Sequence, residues 1–138
     1  MSLEEYAEKL PVECPPSDAE DVAHEVVYRF LKVGNPAPEE FYSHAKLKKP
    51  NRIGVNECSF ASCSLLGDYL KYLDNLPNMR KAHTHVARLT IPQGTGKSKP
   101  KKKNGTMHVD FWCFAGKTLA DCVVEVLPLP PAEGAVDA

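Results

Sequence analysis

The chain has 138 residues, 43% of them hydrophobic and 25% charged, with a formal net charge of −1. That composition describes a globular domain large enough to bury a core, and its near-neutral balance excludes a global pull toward nucleic acid or an anionic membrane. No apolar run approaches the roughly 20 residues that cross a bilayer, so no membrane partner is expected.

The N-terminus, Met1 to Glu5, is acidic and lacks the basic start and apolar centre of a secretion signal, which sets a cytosolic (cytoplasmic) expectation. The cysteines are Cys14, Cys58, Cys63, Cys113 and Cys122. Their number is odd and no CxxC pair occurs, so free thiols are expected rather than a disulfide framework. Residues 1–16 read as a lead-in, with a short helical turn from Glu4 to Leu10 and then chain kept extended by Pro11, Pro15 and Pro16. A single domain is expected over 17–131 and a disordered tail over 132–138.

Ser17-Asp-Ala-Glu20 is a capping-box pattern and predicts a helix from Asp18. Val22, Val26 and Phe30 recur at helical spacing, and Gly34 would end a helix. Val26 to Leu31 is nevertheless rich in β-branched and aromatic residues, so composition leaves helix and strand open there, with a helix yielding to a strand the preferred reading. Pro38 to His44 predicts one helical turn with Glu39 and Glu40 at its N-terminus. Lys46, Lys48, Lys49 and Arg52 form a basic loop. Leu65, Leu66, Tyr69, Leu70 and Leu73 predict a helix from Ser59 or Ser64 to Leu76.

Two alternating strands follow, 83–91 and 107–114, joined by a loop of Gly, Lys and Pro. Period-2 geometry puts Ala87, Leu89, Ile91, Val109 and Phe111 on a core face. Arg88, His108, Asp110 and Trp112 fall on the other face. If the strands pair, Arg88 and Asp110 make a cross-strand ion pair, and a carboxylate beside His108 favours its protonated form. Residues 117–122 predict a short helical segment, and Cys122 to Leu127 a further strand ended by Pro128. The fold class is therefore expected to be α+β: a small, mainly antiparallel sheet of three to four strands packed against one or two helices. Its core would draw on Phe60, Leu65, Leu66, Leu70, Leu73, Leu89, Ile91, Val109, Phe111, Val124 and Val126.

The leading functional expectation is a small binding or accessory protein without catalysis. Its contact surface would be a Lys-rich hairpin loop (Lys97, Lys99, Lys101, Lys102, Lys103) together with the Arg88, His108, Asp110 and Trp112 face. The partner would be a protein or a polyanion, nucleic acid included, since lysines track phosphates and Trp112 offers a ring to stack on. Gly94-Thr-Gly-Lys-Ser98 is not a phosphate loop, because Ile91 stands where that pattern needs glycine and Lys99-Pro100 does not open a helix.

Two catalytic alternatives are carried with it. In a cysteine-dependent hydrolase or transferase, Cys58 or Cys63 at the start of the expected helix has its thiolate favoured by the helix dipole, with His108 as base and Asp110 orienting it. That chain order resembles papain-like and related peptidoglycan hydrolases, without the local motifs around their cysteine. In the second alternative, Arg29, Ser62 or Ser64, and Glu125 fall on three successive elements. This resembles the Arg–Ser–Glu layout of ADP-ribosyltransferase domains. The resemblance implies an NAD-consuming transferase or toxin, with Arg29 on the dinucleotide, Ser62 or Ser64 lining the nicotinamide site and Glu125 polarising the ribose. The Ser-Thr-Ser and Glu-x-Glu or Gln-x-Glu motifs of that family are missing. NAD is the cofactor only in that alternative; otherwise none is expected. A metal site at His83, His85, His108 and Cys113 is not expected, because strict alternation points His108 and Cys113 to opposite faces.

Overall fold

The computed structural model describes residues 6–43, 45–47, 57–75, 79–103 and 106–130. It is mainly β, one six-stranded antiparallel sheet with only short helices. The strands are β1 (His24–Leu31), β2 (Cys63–Leu66), β3 (His85–Ile91), β4 (Gly96–Lys103), β5 (Thr106–Cys113) and β6 (Val123–Pro128), and the order across the sheet is β4-β5-β2-β1-β3-β6. The helices are α1 (Glu57–Phe60), α2 (Tyr69–Asn75) and α3 (Met79–Ala82), with 3-10 turns at Pro38–Phe41 and Leu119–Cys122. None of the helices is long and apolar enough to cross a membrane.

Two apolar layers sandwich the sheet. On the first face Val27, Leu31, Cys63, Leu65, Ala87, Leu89, Ile91, Val109 and Phe111 pack beneath Phe41 and Leu119 of the 3-10 turns. On the second face Phe30, Leu66 and Val86 pack beneath Tyr72 and Leu73 of α2. This two-sided burial explains why the expected α+β arrangement with a 59–76 helix gives way to more strand. Leu65 and Leu66 are both buried, and consecutive buried residues suit a strand covered on both faces better than a one-sided helix. β2 therefore interrupts the helix, and only Tyr69–Asn75 keeps it. Leu70 is 50% exposed and Val124 53% exposed, so neither belongs to the core.

The 26–31 segment, where the sequence left helix and strand open, is strand, and no helix precedes it. Glu20 exchanges both backbone hydrogen bonds with Ser98, at 2.9 Å each, and those are the groups a helix from Asp18 would have used. Residues 6–10 form no helical turn; the Tyr6 backbone makes an isolated bridge with Phe114 instead. The turns near 38–41 and 119–122 occur where expected. His44, Lys48, Lys49, Arg52, Leu76 and the 132–138 tail lie outside the described residues.

The expected core faces of the two central strands hold, but the strands are not neighbours. β3 pairs with β1 and β6, and β5 pairs with β2 and β4. The Lys-rich stretch is the edge strand β4 rather than a loop. Its Pro100 is tolerated because Ser98 points its own N–H away from β5 toward Glu20, and two residues on, the missing Pro100 N–H falls on that same outer side. The opposite edge carries a register shift against β3 and ends at Pro128. Both edges are thus blunted against further strand pairing.

His24 on β1 places Nε2 2.8 Å from Ser98 Oγ and stands edge-on to Phe111. Burial pushes its pKa below the usual 6.5. The unfolded chain therefore binds a proton more readily than the folded one. The stability contributed by neutral His24 is full above 6.5 and falls as pH drops from 6.5 toward the folded pKa. Urea midpoints measured from pH 7.5 down to 5 should fall for the native chain and fall less steeply for His24→Gln.

Candidate functional site

Three of the four sheet residues expected to form an open contact face, His108, Asp110 and Trp112, are brought together but covered. His108 is 5% exposed, Asp110 3% and Trp112 2%. α1 lies over β5: Trp112 Nε1 donates to the Cys58 carbonyl at 3.1 Å, and Ser59 Oγ donates to Asp110 Oδ2 at 2.7 Å. Lys101 Nζ lies 3.1 Å from that same carboxylate oxygen and donates to Ser59 Oγ at 3.3 Å. The trio works as a polar staple between α1 and the sheet. Arg88, expected beside Asp110, instead meets Glu125 of β6 at 3.4 Å.

The lysines do not make one cationic patch. Lys97, Lys99 and Lys101 stand opposite Trp112, Asp110 and His108 and share their face, whereas Lys102 alternates to the other. Lys99 is paired to Asp18 at 3.1 Å and Lys101 to Asp110. The Lys103 side chain lies outside the described residues.

The catalytic alternatives find little geometric support. Cys58 forms a disulfide with Cys14, which corrects the expectation of free thiols and leaves Cys58 without a thiolate. The odd count concealed it: Cys63, Cys113 and Cys122 are the three left free. Cys63 lies on β2, not at a helix start, and on the face opposite His108. Burial pushes its thiol up, more than the nearby Arg29 guanidinium draws it down. Arg29 is on a strand, with Nε donating to the Glu40 carbonyl and Nη1 to the Ser64 carbonyl, both at 3.0 Å. Tyr28 pairs with Arg88 and Arg88 with Glu125. Glu125 therefore shares the Tyr28 face, and Arg29 occupies the other. Ser62 donates to the Ser59 carbonyl, and Ser64 stands opposite Asp110 on the Glu125 face. One NAD could not reach Arg29 and Glu125 from the same side. Among the described residues no cluster of His, Cys, Asp and Glu is arranged to hold a metal ion.

No protein family, characterised protein or solved structure matches this chain. Function has to be read from its own geometry.

The concave feature lies on the first face, where no sequence pattern pointed. A cavity of about 230 Å³ opens between the N-terminal segment, the two 3-10 turns and the sheet. Its floor is apolar, made by Phe41, Ala61, Cys63, Phe111, Cys113 and Leu119. Burial, more than the neighbouring Cys63, Cys122 and Glu8, pushes the Cys113 thiol up to about 12, so the floor is uncharged at neutral pH. Tyr6, Ala7, Glu8 and Leu10 form one wall, and Tyr42, Lys46, Lys117 and Thr118 also line it. The Glu8 carboxylate accepts from Ser43 Oγ and from the Ser43 N–H. Lys46 Nζ rests 4.1 Å from the Tyr42 ring centroid. A shallower recess of about 360 Å³ shares Leu10 and Ala61 and runs on to Pro11 and Phe60. Alternation along strands reveals which residues share a face; it carries no signal for a cavity closed by a lead-in segment.

Proposed function

We propose that this chain is a binding protein without chemistry of its own, and that its ligand is a compact apolar molecule bearing one carboxylate, held in the cavity beneath the N-terminal segment. The reading rests on one observation: an apolar floor meets two lysines, Lys46 and Lys117, while the Glu8 carboxylate is already bonded to Ser43. Burial of the apolar body drives binding, and an ammonium at the mouth favours the anionic end. This keeps the binding class expected from the sequence and moves the site off the lysine strand. A disulfide persists where thiols oxidise, so Cys14–Cys58 supports an oxidising compartment over the cytosol expected from the N-terminus.

Octanoate is a suitable probe. It should raise the melting temperature in a dose-dependent way, by the equivalent of about 2–3 kcal/mol at roughly a hundredfold excess over Kd. Octanol should bind more weakly. Ala7→Trp, at an exposed position on the wall, should abolish the octanoate effect without lowering the melting temperature of the ligand-free protein. A melting temperature indifferent to both probes removes the proposal.

A further inference from the structure

We propose that the Cys14–Cys58 disulfide is a redox latch on this cavity: it holds the wall segment against α1 when oxidised and frees it when reduced. The inference concerns regulation of the site proposed above and rests on that site being an entry for ligand. The two cysteines are 44 residues apart in sequence. Cys14 lies four residues beyond Leu10, the wall residue shared by cavity and recess, and Cys58 lies three before Ala61, which lines both from the other side. Neither cysteine lines the cavity itself; the bond ties the chain just beyond the wall to the helical turn that leads into Ala61.

The rest of the wall is held unevenly. Ala7 donates its N–H to the Cys113 carbonyl at 2.9 Å, and Glu8 binds Ser43. Farther along, Glu20 is pinned to Ser98. Between these anchors the disulfide is the one covalent tie to the body of the protein. Its loss leaves 9–14 held at Glu8 on one side and, on the other, at Asp18, which pairs with Lys99, and at buried Ala19, while the sheet keeps its own ladders.

The chemistry needs an external thiol and nothing else. A thiolate of a dithiol attacks one sulfur, the Cys14–Cys58 bond breaks, and a mixed disulfide forms. The second thiol of the reagent then closes its own disulfide and releases the protein sulfur. Two protein thiols result, and the reductant loses two electrons and two protons. Both cysteines are partly exposed, so a reductant can reach them. The three internal thiols do not compete: each has its pKa raised by burial, and the attacking species is the thiolate.

The floor thiols supply a readout that requires no ligand. Cys63 and Cys113 line the cavity, whereas Cys122 does not and serves as an internal control. The native protein, with and without prior dithiothreitol, is pulsed with iodoacetamide, and each cysteine is quantified by peptide mass spectrometry while far-ultraviolet circular dichroism follows the sheet. Reduction should speed labelling of Cys113 by about tenfold or more through local opening, with Cys122 labelling and the dichroism unchanged. Cys14→Ser/Cys58→Ser should reproduce the effect without reductant. Equal Cys113 rates in both states overturn the latch. So does a common rise at Cys63, Cys113 and Cys122 with loss of the sheet signal, which would make the bond a general clamp. The binding proposal fails separately, through the octanoate and octanol melts, even if the thiol result stands.

Discussion

Removing the disulfide by Cys14→Ser/Cys58→Ser is expected to lower the unfolding free energy by about 4 kcal/mol. The cross-link closes a 44-residue separation, and most of its effect is expected on the unfolded chain, which loses freedom when its ends are tied. On the loop-closure account, a loop of this length gives that figure, and native-state adjustment brings measured values down toward 2 kcal/mol. The folded sheet should be unaltered, because neither cysteine belongs to a strand. The check is a pair of urea titrations. The midpoint should fall in the double variant, and the slope should rise as its unfolded ensemble expands. An unchanged midpoint would mean that the tie contributes nothing to the balance between folded and unfolded chains.

Gly96→Ala should be nearly as damaging, for an opposite reason located in the folded state. Gly96 opens β4 opposite Cys113 of β5. A Cβ there would be driven onto the Trp112 carbonyl oxygen, with the Cys113 Cα at 2.9 Å and Phe111 Cε1 at 2.8 Å. Two of those three atoms are backbone and cannot swing aside. β4 must pull away from β5 at its first pair, and that also disturbs buried Thr95 and Ser98 on either side. A loss of about 3 kcal/mol or more is expected, read as a lower denaturant midpoint. Gly94→Ala provides the contrast: its φ of 95° strains any side chain, but nothing lies within 4 Å, so its cost should be only about 1 kcal/mol.

Much of the sheet could be read from the sequence because alternation is a local signal. Leu89, Ile91, Val109 and Phe111 fall on one face and His108, Asp110 and Trp112 on the other, as period 2 requires. What alternation does not encode is which strand lies next to which. Arg88 was expected against Asp110 and meets Glu125, because β1 and β2 are inserted between β3 and β5. The second limit concerns what covers a face. Asp110 and Trp112 look solvent-facing along β5, but α1, a single turn with no apolar period of its own, lies over them. The third concerns the lysines. Gly, Pro and five like charges read as a loop, whereas in β4 they are the composition of a protected sheet edge, where Pro100 has no ladder bond to lose and lysines discourage a further strand. The cavity was not legible at all. Tyr6, Ala7 and Glu8 reach it from a stretch that reads as a short helical turn, with no signal for what it packs against.

The strand order also governs how this chain must find its shape. Of the five neighbouring pairs in the sheet, only β4–β5 is a tight hairpin. β1 pairs with β2, which begins at Cys63, and with β3, which begins at His85, and β2 pairs with β5, which begins at Thr106. Each of those pairings closes a long loop before any contact rewards it. Assembly is accordingly slow for a chain of this length, with the lysine-bearing hairpin formed early. The apolar strands at the centre of the sheet stay exposed to other chains the longest, and the mutual repulsion of the lysines keeps the first-formed pair from adhering to its copies.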